Sequence, residues 1–254
     1  LMKNKKAIRR SIILICLITA VVTLILYGNF NLEVTEHTLK CESLPTSFDQ
    51  FKIVQLSDLH NEEFGEDNEK LLEIIKEQEP DVVFVTGDSI DGVYTNIQIP
   101  IKLFEEILKI CDVYFIVGNH EIRSDANQYF EFIDTLTEIG VVVLKDDYAY
   151  IERNGEKIQV IGLNDASNYK VIYGDDYKTE IAKVISELDD ENSFSVLLSH
   201  HPELFPEYSS TNVDLVFSGH AHGGQFRLPF IGGLMAPEQG LFPKYDAGVF
   251  TENN

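Results

Sequence analysis

Five apolar segments of this chain each end in side chains of the types that bind metal ions. In chain order the segments KIVQLSDLH, VVFVTGD, YFIVGNH, SVLLSH and LVFSGHAH end in Asp58 and His60, Asp88, Asn119 and His120, His200, and His220 and His222. Taken singly, each residue has an ordinary explanation, because Asp and Asn form turns and a lone histidine is usually hydrogen-bonded. Their joint occurrence at strand ends predicts a metal site.

The ligand types restrict the metal. Imidazoles, carboxylates and an amide oxygen without a thiolate suit Mn, Fe or Zn and argue against a sulfur-bound structural zinc. Since these ligands are too many for one tetrahedral ion, we expect two divalent metal ions with Asp88 between them. Two ions about 3.5–4 Å apart serve hydrolysis, above all of phosphoesters, because they generate hydroxide and clamp the attacking and leaving oxygens.

The elements that must position these residues alternate along the chain. Short apolar strands alternate with helical segments, which predicts an α/β domain with buried, largely parallel strands. A hairpin is predicted to turn at Asn154-Gly155, between YAYIER and KIQVIGL. Ligands of α/β sheets bind in the loops at the carboxyl ends of the strands, so the five strand ends are expected to converge on one site.

The first 32 residues differ from the rest. Ser11–Leu32 contains no charged residue and follows a basic head, which comprises Lys3, Lys5, Lys6, Arg9 and Arg10. About 20 apolar residues cross a bilayer, so residues 1–32 are expected to be a basic head and a single membrane anchor. The basic head would remain cytoplasmic and place residues 33–254 on the extracytoplasmic side of the cell membrane. A cleaved signal peptide and a twin-arginine export signal at Arg9-Arg10 remain alternatives.

Charge and cysteine content exclude other classes. Beyond residue 10 the chain has 15 basic and 42 acidic residues, a formal charge of −27. Such a field repels polyanions, so no nucleic-acid partner is expected and a nuclease is disfavoured. The three cysteines, Cys16, Cys41 and Cys111, do not form a disulfide framework.

The strand-end residues form five ordered motifs that resemble a known family. Asp58-x-His60, Gly87-Asp88-x-x-Asp91, Gly118-Asn119-His120-Glu121, Ser199-His200 and Gly219-His220-x-His222 are similar, in order, to the motifs of the calcineurin-like metallophosphoesterase superfamily. With the hydrophobic N-terminus, the chain resembles a membrane-associated bacterial branch that includes phosphodiesterases and enzymes acting on lipid-linked pyrophosphates. The resemblance implies a four-layer α-β-β-α sandwich of two mixed sheets, and further strands beyond the point where this chain stops.

The resemblance also implies roles. One metal would be held by Asp58, His60, Asp88 and His222, and the other by Asp88, Asn119, His200 and His220, with a bridging hydroxide as nucleophile. His120 would protonate the leaving oxygen, and Asp91 would orient His120. The expected substrate is a phosphodiester or a lipid-linked pyrophosphate at the outer membrane face. The alternatives are a phosphomonoesterase and a non-catalytic metal-binding envelope protein. The loops at 61–67, 164–175 and 229–244 are expected to set specificity.

Overall fold

The computed structural model describes residues 2–225, 227–228 and 232–252. The chain divides into two units, Leu1–Leu39 and Lys40–Asn254. The first unit contains one helix, α1 (Met2–Phe30), and the side chains from Ser11 to Leu24 within it are exposed.

Among the residues that the structure describes, no helix combines the length and the apolar character needed to cross a membrane. The anchor predicted for residues 11–32 is therefore not confirmed.

The first sheet of the second unit has four strands in the order β1 (Ile53–Leu56), β2 (Val82–Thr86), β3 (Asp112–Ile116) and β4 (Val142–Val143). Its connections contain α2 (Glu69–Gln78), α3 (Gln98–Ile107), α4 (Asn119–Arg123) and α5 (Ala126–Ile139). Every paired strand is parallel, so the expectation of two mixed sheets is wrong for this sheet. The reason is that helical crossovers return the chain to the same end of the sheet.

The second sheet is mixed. Its order is β5 (Asp147–Arg153), β6 (Glu156–Gly162), β7 (Phe194–Leu198) and β8 (Leu215–Phe217). Strands β5 and β6 form an antiparallel hairpin, and the other pairs are parallel. The predicted turn at Asn154-Gly155 is confirmed, with positive φ at both residues (53° and 84°), as a two-residue type I′ turn requires.

Three further helices accompany this sheet: α6 (Ala166–Tyr173), α7 (Tyr177–Leu188) and α8 (Phe205–Tyr208). Helix α6 occupies most of the segment 164–175 that was expected to be a loop. It begins there because the Asp165 side chain accepts the N–H of Ser167, which caps the helix. Short strand pairs follow, β9 (Arg227–Leu228) with β10 (Gly232–Gly233), and β11 (Met235–Ala236) with β12 (Gly240–Leu241).

The apolar contacts arrange these elements in four layers. One core lies between the sheets and contains Phe84 and Ile116 from the first sheet with Val160 and Leu198 from the second. On the outer face of the first sheet, the Phe115 ring lies 6.2 Å from that of Phe104 in α3 and 5.8 Å from that of Phe132 in α5.

A separate core covers the outer face of the second sheet. There Ile161 and Leu197 pack with Ile181 and Ile185 of α7. The order helix, sheet, sheet, helix therefore agrees with the expected sandwich.

Candidate metal centre

The predicted ligands lie directly after strands of both sheets, and most have left-handed backbone conformations. Five of the seven have positive φ: Asp58 (55°), His60 (47°), Asp88 (54°), His220 (63°) and His222 (50°). This region is uncommon for residues other than glycine, and it is characteristic of functional sites. The backbone bends sharply after β1, β2 and β8, which brings side chains from both sheets to one place.

Asp58, His60 and His222 form one cluster. One ligand atom from each lies within 4.8 Å of the others. The Nε2 atoms of His60 and His222 are 3.3 Å apart, and Nε2 of His222 is 3.5 Å from Oδ1 of Asp58. Two nitrogens bound to one tetrahedral ion at about 2.0–2.1 Å would be about 3.4 Å apart. The spacing therefore fits a shared metal ion.

Asp88, His200 and His220 form a second, fully buried cluster with the same 4.8 Å limit. Nε2 of His220 and Oδ1 of Asn119 are buried without a hydrogen-bond partner. Nε2 of His200 lies 3.1 Å from Oδ2 of Asp88 without the geometry of a hydrogen bond. Buried polar atoms are normally paired, so the unpaired atoms of His220 and Asn119, two residues that line one cleft, fit a cation.

Asp88 faces both clusters. Its Oδ2 atom is 3.1 Å from Nε2 of His200 and 3.9 Å from Nε2 of His60, and its Oδ1 accepts the backbone N–H of His120 at 2.7 Å. Burial alone would raise the pKa of Asp88, but His200 and the His120 N–H hold it well below its usual range. A carboxylate with a lowered pKa thus lies between two sets of ligands.

The two buried histidines of the second cluster, His200 and His220, differ in pKa. Nδ1 of His200 lies 2.6 Å from the Thr86 carbonyl, so it must donate, and Nε2 is directed at the cluster. Burial lowers the pKa of His200, but Asp88 and then Asp58 raise it to about 9. For His220, burial and the charges of His201 and His200 lower the pKa to about 3. His220 is therefore neutral, the form that binds metal, whereas a metal must displace a proton from His200.

Close packing across the two sheets fixes Asp58. The backbone N–H of His220 donates to both carboxylate oxygens of Asp58, at 3.0 Å each. A Cβ atom on Gly219 would overlap Oγ of Ser57 and lie 2.8 Å from Oδ2 of Asp58. Only glycine fits at 219, because the loop after β8 passes against the loop after β1.

Glu121 binds the backbone of the loops that carry the predicted ligands. It is completely buried, and its carboxylate accepts the backbone N–H groups of Asp88, Ser89, Ile90 and Gly118 at 2.7–3.2 Å. Burial and the charge of Asp88 raise its pKa to about 7, although the N–H groups oppose the shift. Glu121 therefore holds the loop after β2 against the start of α4.

His120 lies beside the first cluster, with its ring centroid 4.3 Å from that of His60. Its Nδ1 accepts the backbone N–H of Gly92 at 3.1 Å and is 3.6 Å from Oδ2 of Asp91. Oδ1 of Asp91 accepts the N–H groups of Val93 and Tyr94, which lower its pKa. Asp91 therefore lies beside His120 as expected, but the hydrogen bond that orients the ring comes from the backbone N–H of Gly92.

These groups border a cleft of about 230 Å³, which Asp88, Asn119, His120, His220 and His222 help to line. Four further residues line it: Ser167, Gln225, Pro237 and Glu238. Ser167, Pro237 and Glu238 lie in segments that were expected to set specificity, whereas sequence reasoning missed Gln225. Asp165, whose side chain accepts the N–H of Ser167, is a sequence signal that could have indicated a helix there. Arg123 also lines the cleft.

His201 is a neighbour of the centre and not a free ligand. Its Nε2 is 2.8 Å from Asp165 and its Nδ1 is 2.8 Å from Glu203. Nδ1 also lies 3.4 Å from Glu238, whose two oxygens accept from Lys170 at 2.8 Å. Both ring nitrogens are thus committed to carboxylates, which leaves no lone pair for a metal.

Comparisons with known proteins agree with the motifs. Residues 51–224 match the family model of calcineurin-like phosphoesterases, a range that includes all seven predicted metal ligands together with Asp91 and His120. The metallophosphoesterase YkuE of Bacillus subtilis (strain 168) is 32% identical over 224 residues, which cover 86% of this chain and 74% of that protein.

Two other similarities extend the comparison. A protein of Danio rerio described as a transmembrane protein with metallophosphoesterase domain is 27% identical over 90% of this chain and 54% of its own length. The crystal structure of phosphopantetheinyl hydrolase from Mycobacterium tuberculosis superposes with a TM-score of 0.41 at 17% identity, covering 67% of this chain and 78% of that chain.

Proposed function

Since this chain belongs to the calcineurin-like phosphoesterase family and is a metal-dependent phosphoesterase, we propose that it hydrolyses a phosphodiester or a lipid-linked pyrophosphate. The proposed reaction uses two divalent metal ions and His120 as the general acid. The observation that carries it is a pair of ligand clusters, in which Oδ2 of Asp88 lies 3.1 Å from His200 of its own cluster and 3.9 Å from His60 of the other, with His120 beside them.

Each proposed ion has four ligands. Asp58, His60, Asp88 and His222 would hold one ion, and Asp88, Asn119, His200 and His220 would hold the other. When bound, such ions (Mn, Fe or Zn) supply hydroxide at neutral pH and offset the charge of the phosphate. The support for this division is that His220 clusters with Asp88 and His200, and that Asn119, whose Oδ1 is buried without a partner, lines the same cleft as His220.

His120 is proposed to protonate the leaving oxygen. Because the N–H of Gly92 donates to Nδ1, the proton of a neutral His120 ring resides on Nε2. The ring lines the cleft, and Oδ2 of Asp91 lies 3.6 Å from its Nδ1. His120 would therefore act as a donor, while Arg123, which also lines the cleft, would contact a phosphate oxygen.

Attachment to a membrane is a further part of the proposal. Its support is the uncharged run Ser11–Leu32 behind a basic head, the exposed apolar side chains of α1 and the description of the Danio rerio relative. The catalytic domain would face the extracytoplasmic side. Protease accessibility on intact cells tests this orientation, and a protected catalytic domain would contradict it.

The catalytic proposal is tested with the purified full chain freed of metal. Bis(p-nitrophenyl) phosphate and p-nitrophenyl phosphate are assayed after addition of Mn, Fe or Zn, for the native chain, Asp88→Asn and the control Asp134→Asn, which alters an exposed carboxylate on α5. We expect hydrolysis, with the diester preferred, by the native chain and the control only. Hydrolysis that survives both chelation and Asp88→Asn would refute the two-metal mechanism, and a strong preference for the monoester would refute the proposed substrate class.

A further inference from the structure

Six strongly exposed apolar side chains of the second unit occur as three pairs on three segments. They are Val93 and Tyr94 (78% and 84% exposed), Val171 and Ile172 (85% and 70%), and Leu241 and Phe242 (67% each). Within the described part of residues 40–252, no other large hydrophobic side chain is more than 60% exposed. We call these six residues the apolar rim.

The first pair lies beside His120. The backbone N–H groups of Val93 and Tyr94 donate to Oδ1 of Asp91, whose Oδ2 is 3.6 Å from the ring of His120. The carbonyl of Tyr94 also accepts from the side chain of Asn61 at 2.7 Å. This pair therefore belongs to the His120 side of the cleft.

The other two pairs belong to the opposite side. Val171 and Ile172 follow Ser167, a lining residue, by about one turn of α6. Leu241 pairs with Met235, and the turn between them contains the lining residue Glu238. The ion pair between Lys170 and Glu238, at 2.8 Å, joins these two segments. The apolar rim thus flanks the cleft from both sides.

The rim segments also lack charge. No charged residue occurs in 92–101, 171–174 or 239–243, although the chain has a net charge of −22. Exposed apolar patches of this kind mark surfaces that bind other molecules. The exposed apolar pairs thus lie in uncharged segments of a strongly acidic protein, which fits an apolar partner.

We propose that the apolar rim docks on the surface of a phospholipid bilayer, so that the cleft takes its phosphoester from a lipid in that bilayer. A protein bound across the rim would close the cleft, whereas a bilayer both covers the apolar side chains and presents phosphoester headgroups at the depth of the cleft. Aromatic and aliphatic side chains are those that enter the interfacial region of membranes. The choice of a lipid substrate rests on the proposed phosphoesterase function.

Tryptophan substitution gives a direct test, because the chain contains no tryptophan and each variant has a single reporter. The full-length variants Tyr94→Trp, Ile172→Trp and Phe242→Trp are mixed with phosphatidylcholine vesicles whose acyl chains are brominated. The control is Phe130→Trp, at a 60% exposed position on α5. We expect about twofold quenching or more at the three rim positions and little at position 130.

Each outcome decides the proposal. Rim tryptophans that are unquenched, or quenched no more than at position 130, would overturn it even if α1 carries the chain to the vesicle, since the reporter is local. The hydrolysis of bis(p-nitrophenyl) phosphate by the native chain tests the catalytic proposal separately. Quenching without hydrolysis would refute only the phosphoesterase mechanism, and hydrolysis without quenching would refute only the docking surface.

Discussion

Nδ1 of His120 lies 3.6 Å from Oδ2 of Asp91, while the hydrogen bond to this nitrogen comes from the backbone N–H of Gly92. Asp91 therefore acts on His120 through its charge, and the backbone of the Asp91 loop orients the ring. The charge beside His120 and the orientation of its ring therefore depend on different groups, so separate substitutions can test them.

Replacement of His120 by Asn should lower kcat by about 10²–10⁴-fold for a phosphodiester with a poor leaving group. The loss should be much smaller with a p-nitrophenyl leaving group, which needs little protonation. The measurement is steady-state kinetics with both substrates, accompanied by metal analysis of the protein. A loss of bound metal in the variant would show that His120 is a ligand and not the acid.

Asp91→Asn should have a smaller effect than His120→Asn, with kcat reduced by about tenfold. The amide oxygen of Asn can still accept the N–H groups of Val93 and Tyr94, so the loop and the Gly92 contact should persist, and only the charge is lost. Asp91→Ala removes those acceptors as well and should reduce kcat further. Equal losses for Asp91→Asn and His120→Asn would contradict the ionic role.

The number of metal ions that a ligand variant binds should depend on which of the two clusters the substitution changes. The native chain should bind about two ions, His222→Ala and His200→Ala about one each, and Asp88→Asn should weaken both sites. His37→Ala, which changes an exposed histidine outside the site, serves as the control. Inductively coupled plasma mass spectrometry of the dialysed proteins gives the number of ions per chain. One ion in the native chain would contradict the division of the ligands into two metal sites.

Glu121→Gln should lower the free energy of unfolding by about 2–4 kcal/mol. One carboxylate oxygen accepts from Ser89 and Ile90 and the other from Asp88 and Gly118. An amide NH₂ in place of either oxygen would face two backbone donors in a buried site.

Urea unfolding of the metal-free protein measures this effect. Glu131→Gln on the exposed face of α5 is the matched control and should change stability by about 0.5 kcal/mol or less. A Glu121→Gln variant as stable as this control would mean that Glu121 is not needed to hold the loop.

The strand ends of the site were predictable because each ligand directly follows an apolar, β-rich run such as VVFVTGD. The hairpin at Asn154-Gly155 was predictable for a similar reason, since few residue pairs favour two successive positive φ angles. In both cases a local pattern determines a local structure.

Other features depend on contacts that no local pattern encodes. The division of eight strands between two sheets follows from which apolar faces meet, and the chain from β4 to β5 passes between sheets without a marked boundary. Helix α6 carries Val171 and Ile172 on its exposed surface, so its apolar residues lack the periodicity of a helix that packs on a core. The backbone contact from Gly92 to His120 joins residues far apart in sequence, and a side-chain motif cannot reveal it.

The ligands of the candidate centre come from both sheets: Asp58, His60, Asp88 and Asn119 follow strands of the first, and His200, His220 and His222 follow strands of the second. A bound ion would thus be a reversible cross-link between the two halves of the sandwich, in addition to its chemical use. Separation of the sheets would destroy both sites, so free metal opposes unfolding by mass action. At about 100 times the dissociation constant, one such ion adds about 2.7 kcal/mol to the apparent stability. The resistance of this fold to unfolding would accordingly depend on the metal ions in solution as well as on its core.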